Sequence, residues 1–164
     1  MLIVKVAKTI TPKYILLLIA FIVLPLSVGF LGSLVTSPGL VDWYPSLVKP
    51  FFTPPNWLFA PAWTLLFVLM GLSAFLVFVK KNRFDSGLIL FLIQLVFNFG
   101  WSFLFFFLKN PFIAFLEITL LWLLILLTLI SFWRVSKTAG WLFVPYLIWV
   151  SFASMLNLAI VLLN

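Results

Sequence analysis

The chain has 164 residues, 66% hydrophobic and only 8% charged, where a soluble domain has roughly 45–50% apolar and about 25% charged residues; this composition describes an integral membrane protein. Net charge is +7, but the Lys and Arg are scattered between apolar runs rather than set in a stripe beside stacking aromatics, so nucleic acid is not an expected partner. The absence of cysteine and histidine excludes disulfides, thiol nucleophiles, haem axial His or Cys and Cys/His zinc sites, and no cofactor is expected.

The first apolar run follows Lys5, Lys8 and Lys13. A basic start before an apolar stretch also suits a signal peptide, but no small-residue cleavage site interrupts the run before Gly29, so it reads as a retained first span over 14–35. Gly29 and Ser33, with Gly32 beside them, have the small-xxx-small spacing that predicts close helix packing.

Residues 36–56 form the one long connection. From Asp42 to Trp63 the chain reads DWYPSLVKPFFTPPNWLFAPAW: prolines at 45, 50, 54, 55 and 61, and rings at Trp43, Tyr44, Phe51, Phe52, Trp57, Phe59 and Trp63, with Asp42 and Lys49 the only charges. Proline opposes a regular helix or central strand, and solvated linkers are not this aromatic. The pattern predicts an ordered segment capping one end of a bundle.

Four more runs reach the roughly 20 apolar residues that a bilayer demands, at 57–79, 86–108, 111–133 and 140–163. The breaks between them, KKNRFDSG, KNP and RVSKTAG, combine charge with Gly, Pro or Asn. The predicted fold class is therefore an all-α integral membrane protein: one domain, five transmembrane helices and a long aromatic, proline-rich loop between helices 1 and 2. No internal repeat is evident, and an odd number of spans speaks against the paired halves of common secondary transporters.

Polar groups inside spans are costly in hydrocarbon, so the few present are informative. In the third span Gln94, Asn98, Trp101 and Phe105 recur at i, i+4, i+7 and i+11, on one helical face. Two readings stand: the amides bond to neighbouring helices, or Asn98 at least meets a ligand. In the fifth span Trp149, Ala153 and Asn157 share a stripe, with Ser151 and Ser154 nearby. Trp133 and Trp141, beside the fourth loop, suit an interfacial belt; Trp63 and Trp149 lie too deep for one, and a buried indole N–H needs an acceptor. Glu117 is the only acid within a span and is expected to bond a neighbouring helix. Asp42, Asp85 and Glu117 fall on separate segments, so no carboxylate pair for acid–base catalysis forms. A hydrophobic bundle with a few convergent polar groups and a ring-rich cap describes a binding site for a large, flat or apolar ligand.

Four stretches then converge on one family. GFLGS, WYPSLVKPFFTPPNWLFAPAWTLLFVLMG, QLVFNFGWSFLFF and VPYLIWVSFASMLNLAI, in this order across five spans, resemble the translocator protein or tryptophan-rich sensory protein family, also called the peripheral benzodiazepine receptor family, from about Pro25 to Asn164. The second stretch is the most specific. The resemblance implies a five-helix bundle surrounded by membrane lipid, usually a homodimer. Its cavity is expected to bind porphyrins, haem-like tetrapyrroles, sterols in some members, or other large apolar small molecules, and the first loop to fold over the mouth as a lid. By matching positions it implies Trp63 and Trp149 as indole donors, Asn98 and Trp101 as third-span cavity residues, and Tyr44, Pro54 and Trp57 as lid or rim. Gln94 and Ala153, on the same faces, complete the expected ligand-binding set.

The implied function is a membrane translocator or sensor for tetrapyrroles, transporting them or regulating stress and tetrapyrrole responses. Two alternatives are a light-dependent porphyrin-degrading enzyme, with Trp63 and Trp149 as its catalytic residues, and a sterol-binding transporter. The fifth span departs from the family pattern, ending LNLAIVLLN without the tyrosine and arginine of an L/V-x-Y-x-K/R sterol pattern. That departure weighs against sterol.

Eight of the ten Lys and Arg fall on the N-terminal segment, the second loop and the fourth loop, leaving Lys49 and Lys109 for the other face. Positive residues resist translocation, so the N-terminus is expected in the cytoplasm, with the lid loop and C-terminus opposite. A reporter fused after Asn164 should therefore read non-cytoplasmic, and one inserted at Lys80–Arg83 cytoplasmic; the same side for both would refute five spans.

Overall fold

Proline at the first helical position costs no hydrogen bond and presets the backbone, and Pro12 opens the first helix, α1, Pro12–Asp42. The computed structural model describes residues 11–164; Lys5 and Lys8, counted in the charge bias, lie outside the described residues. The other helices are α2 Phe59–Lys81, α3 Ser86–Ser102, α4 Pro111–Val135 and α5 Lys137–Leu163. Among the described residues five helices are long and apolar enough to cross a membrane, and their outer faces carry exposed residues such as Leu16, Val96, Leu120 and Leu162.

Helix ends are set by local chemistry. Asp85, Asn110 and Ser136 cap α3, α4 and α5, each accepting from the backbone N–H three residues on. Asn82, with φ 52°, ends α2 in the left-handed conformation and donates its N–H to Phe78 O. Lys80 and Lys81 sit in the last turn of α2, where cations complement the helix dipole, and Lys80 Nζ also donates to the Val135 carbonyl at the end of α4.

The first helix outruns its expected end. It continues through Thr36, Ser37 and Pro38 to Asp42, so the loop begins at Trp43 rather than at residue 36. Tertiary packing overrides the proline: Gly39 lies so close to the α3 extension that an added Cβ would stand 2.7 Å from Phe106 O, and Leu40 packs in the apolar cluster around Tyr44 and Phe105. The third span also ends irregularly. Phe103–Phe107 form a π-helical turn, with Leu108 N–H reaching back to Phe103 O at 2.9 Å. The extra residue turns both Phe105 and Phe106 inward, the local re-aiming that π-turns produce near functional sites.

Pairwise packing closes a ring in the order α1, α2, α5, α4, α3 and back to α1. At the end carrying the basic loops the ring is solid, filled by Phe91, Phe132 and Phe143 in mutual ring contact with Met70, Ile125 and Tyr146 buried around them. Here α1 and α2 cross closely. An added Cβ on Gly71 would lie 2.5 Å from Phe21 O and 2.7 Å from Ile22 Cα, which only glycine tolerates. Toward the lid the two helices separate, and the bundle is hollow.

Gly71→Val should thus destabilise the protein by about 1–3 kcal/mol, the usual range for overpacking, read as a lower thermal midpoint in detergent. Gly32→Ala is the control: its Cβ would meet Ser102 Oγ at 3.5 Å, an ordinary contact, and should change the midpoint little.

Candidate functional site

The hollow is a cavity of about 520 Å³ bounded by α1, α2, α3, α5 and the lid, within the size range of small-molecule sites. Rings form most of its wall. Trp63 stacks on Phe67 at 5.5 Å, Trp101 on Phe105 at 5.2 Å, and Trp149 meets Phe59 edge-on at 6.1 Å. No Asp, Glu, Lys or Arg is among the lining residues.

Several of the polar groups are matched within the protein, and one fully buried donor is not. Beneath the cavity, Tyr146 OH donates to Gln94 Oε1 at 2.8 Å and accepts from Asn98 Nδ2 at 3.0 Å, while Gln94 Nε2 reaches Met70 Sδ at 3.9 Å. Trp101 Nε1 donates to Asn157 Oδ1 at 3.0 Å, and Asn157 Nδ2 to Pro111 O at 2.8 Å, which pins both residues. Ser33 and Ser37 return their hydroxyls to α1 carbonyls. Trp149 Nε1 is different: it is buried and has no acceptor among the described residues. Asn98 lines the wall and keeps its carbonyl oxygen and second N–H beyond the Tyr146 bond.

The cavity has two boundaries of different kinds. Exposed residues of α1 (Ser33, Ser37) and α2 (Ala60, Thr64) belong to its lining, so it opens sideways where these helices diverge, at bilayer depth. Its end is closed by the loop. Tyr44, 4% exposed, wedges against Phe105 and Phe106; burial raises its hydroxyl above the ordinary tyrosine range, so it stays neutral, and Lys49 Nζ lies 4.7 Å from its ring centroid in a cation–π contact.

A model of the TspO/MBR family matches residues 21–163, nearly the whole of this architecture. The chain belongs to the TspO/MBR family. It is 49% identical to the tryptophan-rich protein TspO of Chlorobaculum tepidum, over 93% of this chain and 98% of that protein. It is 46% identical to the tryptophan-rich protein TspO of Archaeoglobus fulgidus, over 92% and 98%, and 34% identical to the translocator protein of Bos taurus, over 85% of each.

Of the residues singled out in the sequence, the TspO/MBR fold brings Tyr44, Trp63, Asn98, Trp101, Trp149 and Ala153 together on the cavity wall. Gln94, Pro54 and Trp57 are placed elsewhere. Gln94 is fully buried one turn below Asn98 and is occupied by Tyr146 and Met70, so it supports the floor. In the 3-10 turn Asn56–Leu58 successive side chains diverge by about a third of a turn; Asn56 and Phe59 line the cavity while Trp57 points out, 71% exposed. Pro54 is likewise outside the lining. Glu117 departs from the expected helix–helix bond: both its oxygens are buried without a partner among the described residues, Oε1 lying against Gly100 of α3.

Sequence reasoning missed the wall that α1 supplies. Gly29, Gly32, Ser33, Thr36 and Ser37 all line the cavity, and their i, i+3, i+4, i+7, i+8 recurrence is a legible stripe of small residues. Small-xxx-small spacing was read as helix packing, and part of it is: Gly29 makes room for the Phe67 ring. The remainder borders open space in the cavity.

Removing the Tyr146 hydroxyl should strand two buried amides while keeping the ring. Tyr146→Phe is expected to lower stability by about 1–3 kcal/mol, the cost of unsatisfied buried groups, measured by thermal or denaturant unfolding in detergent.

Proposed function

We propose that this protein is a membrane translocator or sensor that holds tetrapyrroles, or other large flat apolar molecules, in the cavity between its helices. The carrying observation is the ring-lined cavity, with no charged residue in its lining among the described residues, and in its wall the Trp149 indole, whose buried N–H has no acceptor among the described residues. A buried donor in that position is a costly feature unless a ligand acceptor meets it. Affinity would come mostly from apolar area removed from lipid or water, about 25 cal/mol per Å² for transfer from water, with Trp149, Trp63 and Asn98 orienting polar edges. The names of the relatives, tryptophan-rich sensory protein and translocator protein, agree with this reading.

Orientation belongs to the same proposal. The basic residues Lys13, Lys80, Lys81, Arg134 and Lys137 flank helix ends remote from the lid, which under the positive-inside rule supports a non-cytoplasmic lid. A homodimer, implied by the resemblance, is part of the proposal too.

Titrating the purified protein with protoporphyrin, haem and a sterol while following tryptophan quenching tests the reading; saturable quenching by the tetrapyrroles is expected, and none would refute it. Trp149→Phe should weaken porphyrin binding about fivefold, the value of one hydrogen bond near 1 kcal/mol, with helicity retained. Illumination of the porphyrin complex separates the alternative class: a new absorbing product that requires Trp63 and Trp149 would identify an enzyme.

A further inference from the structure

The loop 43–58 packs on the bundle mainly through rings. Tyr44 sits against Phe105 and Phe106, and Phe52 meets Phe152 at 6.3 Å. Its hydrogen bonds are mostly internal turns, such as Leu47 N–H to Tyr44 O and Thr53 N–H to Pro50 O. Between Tyr44 and Phe52 something else must hold it, since Val48 is 56% exposed and gains little from apolar packing.

That hold is a single side chain. Val48 N–H donates to Asn164 Oδ1 at 3.0 Å, and Val48 O accepts from Asn164 Nδ2 at 3.1 Å. The other Nδ2 hydrogen goes to Ile160 O at 2.8 Å, a carbonyl in the last turn of α5. An amide has two donors and an acceptor oxygen, and all three functions are engaged. Asn164 therefore pairs with the loop backbone as a neighbouring strand would, while capping the helix whose Trp149, Ala153 and Asn157 line the cavity. Apart from the bonds at the loop's own junctions with α1 and α2, such as Trp43 N–H to Gly39 O and Phe59 N–H to Asn56 O, these are the loop's hydrogen bonds to the helices among the described residues.

We propose that Asn164 is the latch of the lid: a positioning residue that touches no ligand but sets how long the cavity keeps one. The part concerning residence rests on the binding reading above. Prolines 50, 54 and 55 stiffen the loop, so releasing Val48 frees the segment around it as a unit rather than one residue. Asn164 is itself exposed, so water competes for the two bonds and the latch opens reversibly.

Two measurements on Asn164→Ala, with Asn164→Asp beside it, decide the matter. Hydrogen exchange at the Val48 amide, without ligand, reads the latch; protoporphyrin association and release, followed by tryptophan quenching, read residence. In Asn164→Ala both exchange and release should accelerate about tenfold, as for two exposed hydrogen bonds lost together, with association unchanged. Asn164→Asp keeps the acceptor for Val48 N–H and loses both donors, so intermediate values are expected; should the Ala variant lose helicity, the Asp variant supplies both readouts. Unaltered exchange would overturn the latch, and faster exchange with unaltered release would overturn its control of residence. If the unsubstituted protein shows no saturable quenching, the binding reading falls and the residence claim with it, while exchange still scores the latch.

Discussion

Inside a lipid-embedded bundle no water is at hand to match a buried amide, so the protein must supply every partner, and the Tyr146 hydroxyl does so for two amides at once. It donates to Gln94 and accepts from Asn98, joining α5 to α3 across the interior although these helices are not neighbours in the ring. The bond fixes the relative depth and rotation of the two helices. It also sets the level at which the core stops: below Tyr146 lie the interlocked rings of Phe91, Phe132 and Phe143, and above it lie Asn98, Trp63 and Trp149 on the cavity wall.

The hollow follows from a second feature on the opposite side. α1 and α2 meet closely at Gly71, and nearer the loop residues of both helices line the cavity between them. Small residues on α1, from Gly29 to Ser37, keep the gap from refilling with side chains. The same stripe thus acts in two ways, as contact where Phe67 fits against Gly29 and as space where no partner ring arrives. Close packing of protein interiors makes such a gap a property that has to be built, here by residue size.

Hydrogen-bond satisfaction separates the polar groups of the wall more sharply than position does. Trp101 and Trp149 both line the cavity, yet the Trp101 N–H is held by Asn157 while the Trp149 N–H has no acceptor among the described residues. The first can offer a ligand its ring face; the second can offer a ring and a proton. Over both lies a loop whose closure combines buried rings with the Asn164 amide, a division between a hydrophobic seal and a polar fastening. The sideways opening between α1 and α2 and the fastened end make the bilayer side the less obstructed boundary of the site.

The five spans, the loop between the first two and the aligned faces of α3 and α5 were legible in the sequence, because apolar length and helical period are properties of a single segment. So was the presence of Trp63, Asn98 and Trp149 within spans. The extension of α1 to Asp42, the π-turn that brings Phe106 inward, the outward swing of Trp57, and the division of polar residues into matched and free were decided only by the tertiary structure. Gln94 and Asn98 share one face four residues apart, yet one is enclosed and the other reaches the cavity. Which of them finds a partner depends on the distance and rotation between helices, and those are set by contacts such as Gly71 on Phe21 and Tyr146 on α3, between residues far apart in the chain, which no local pattern encodes.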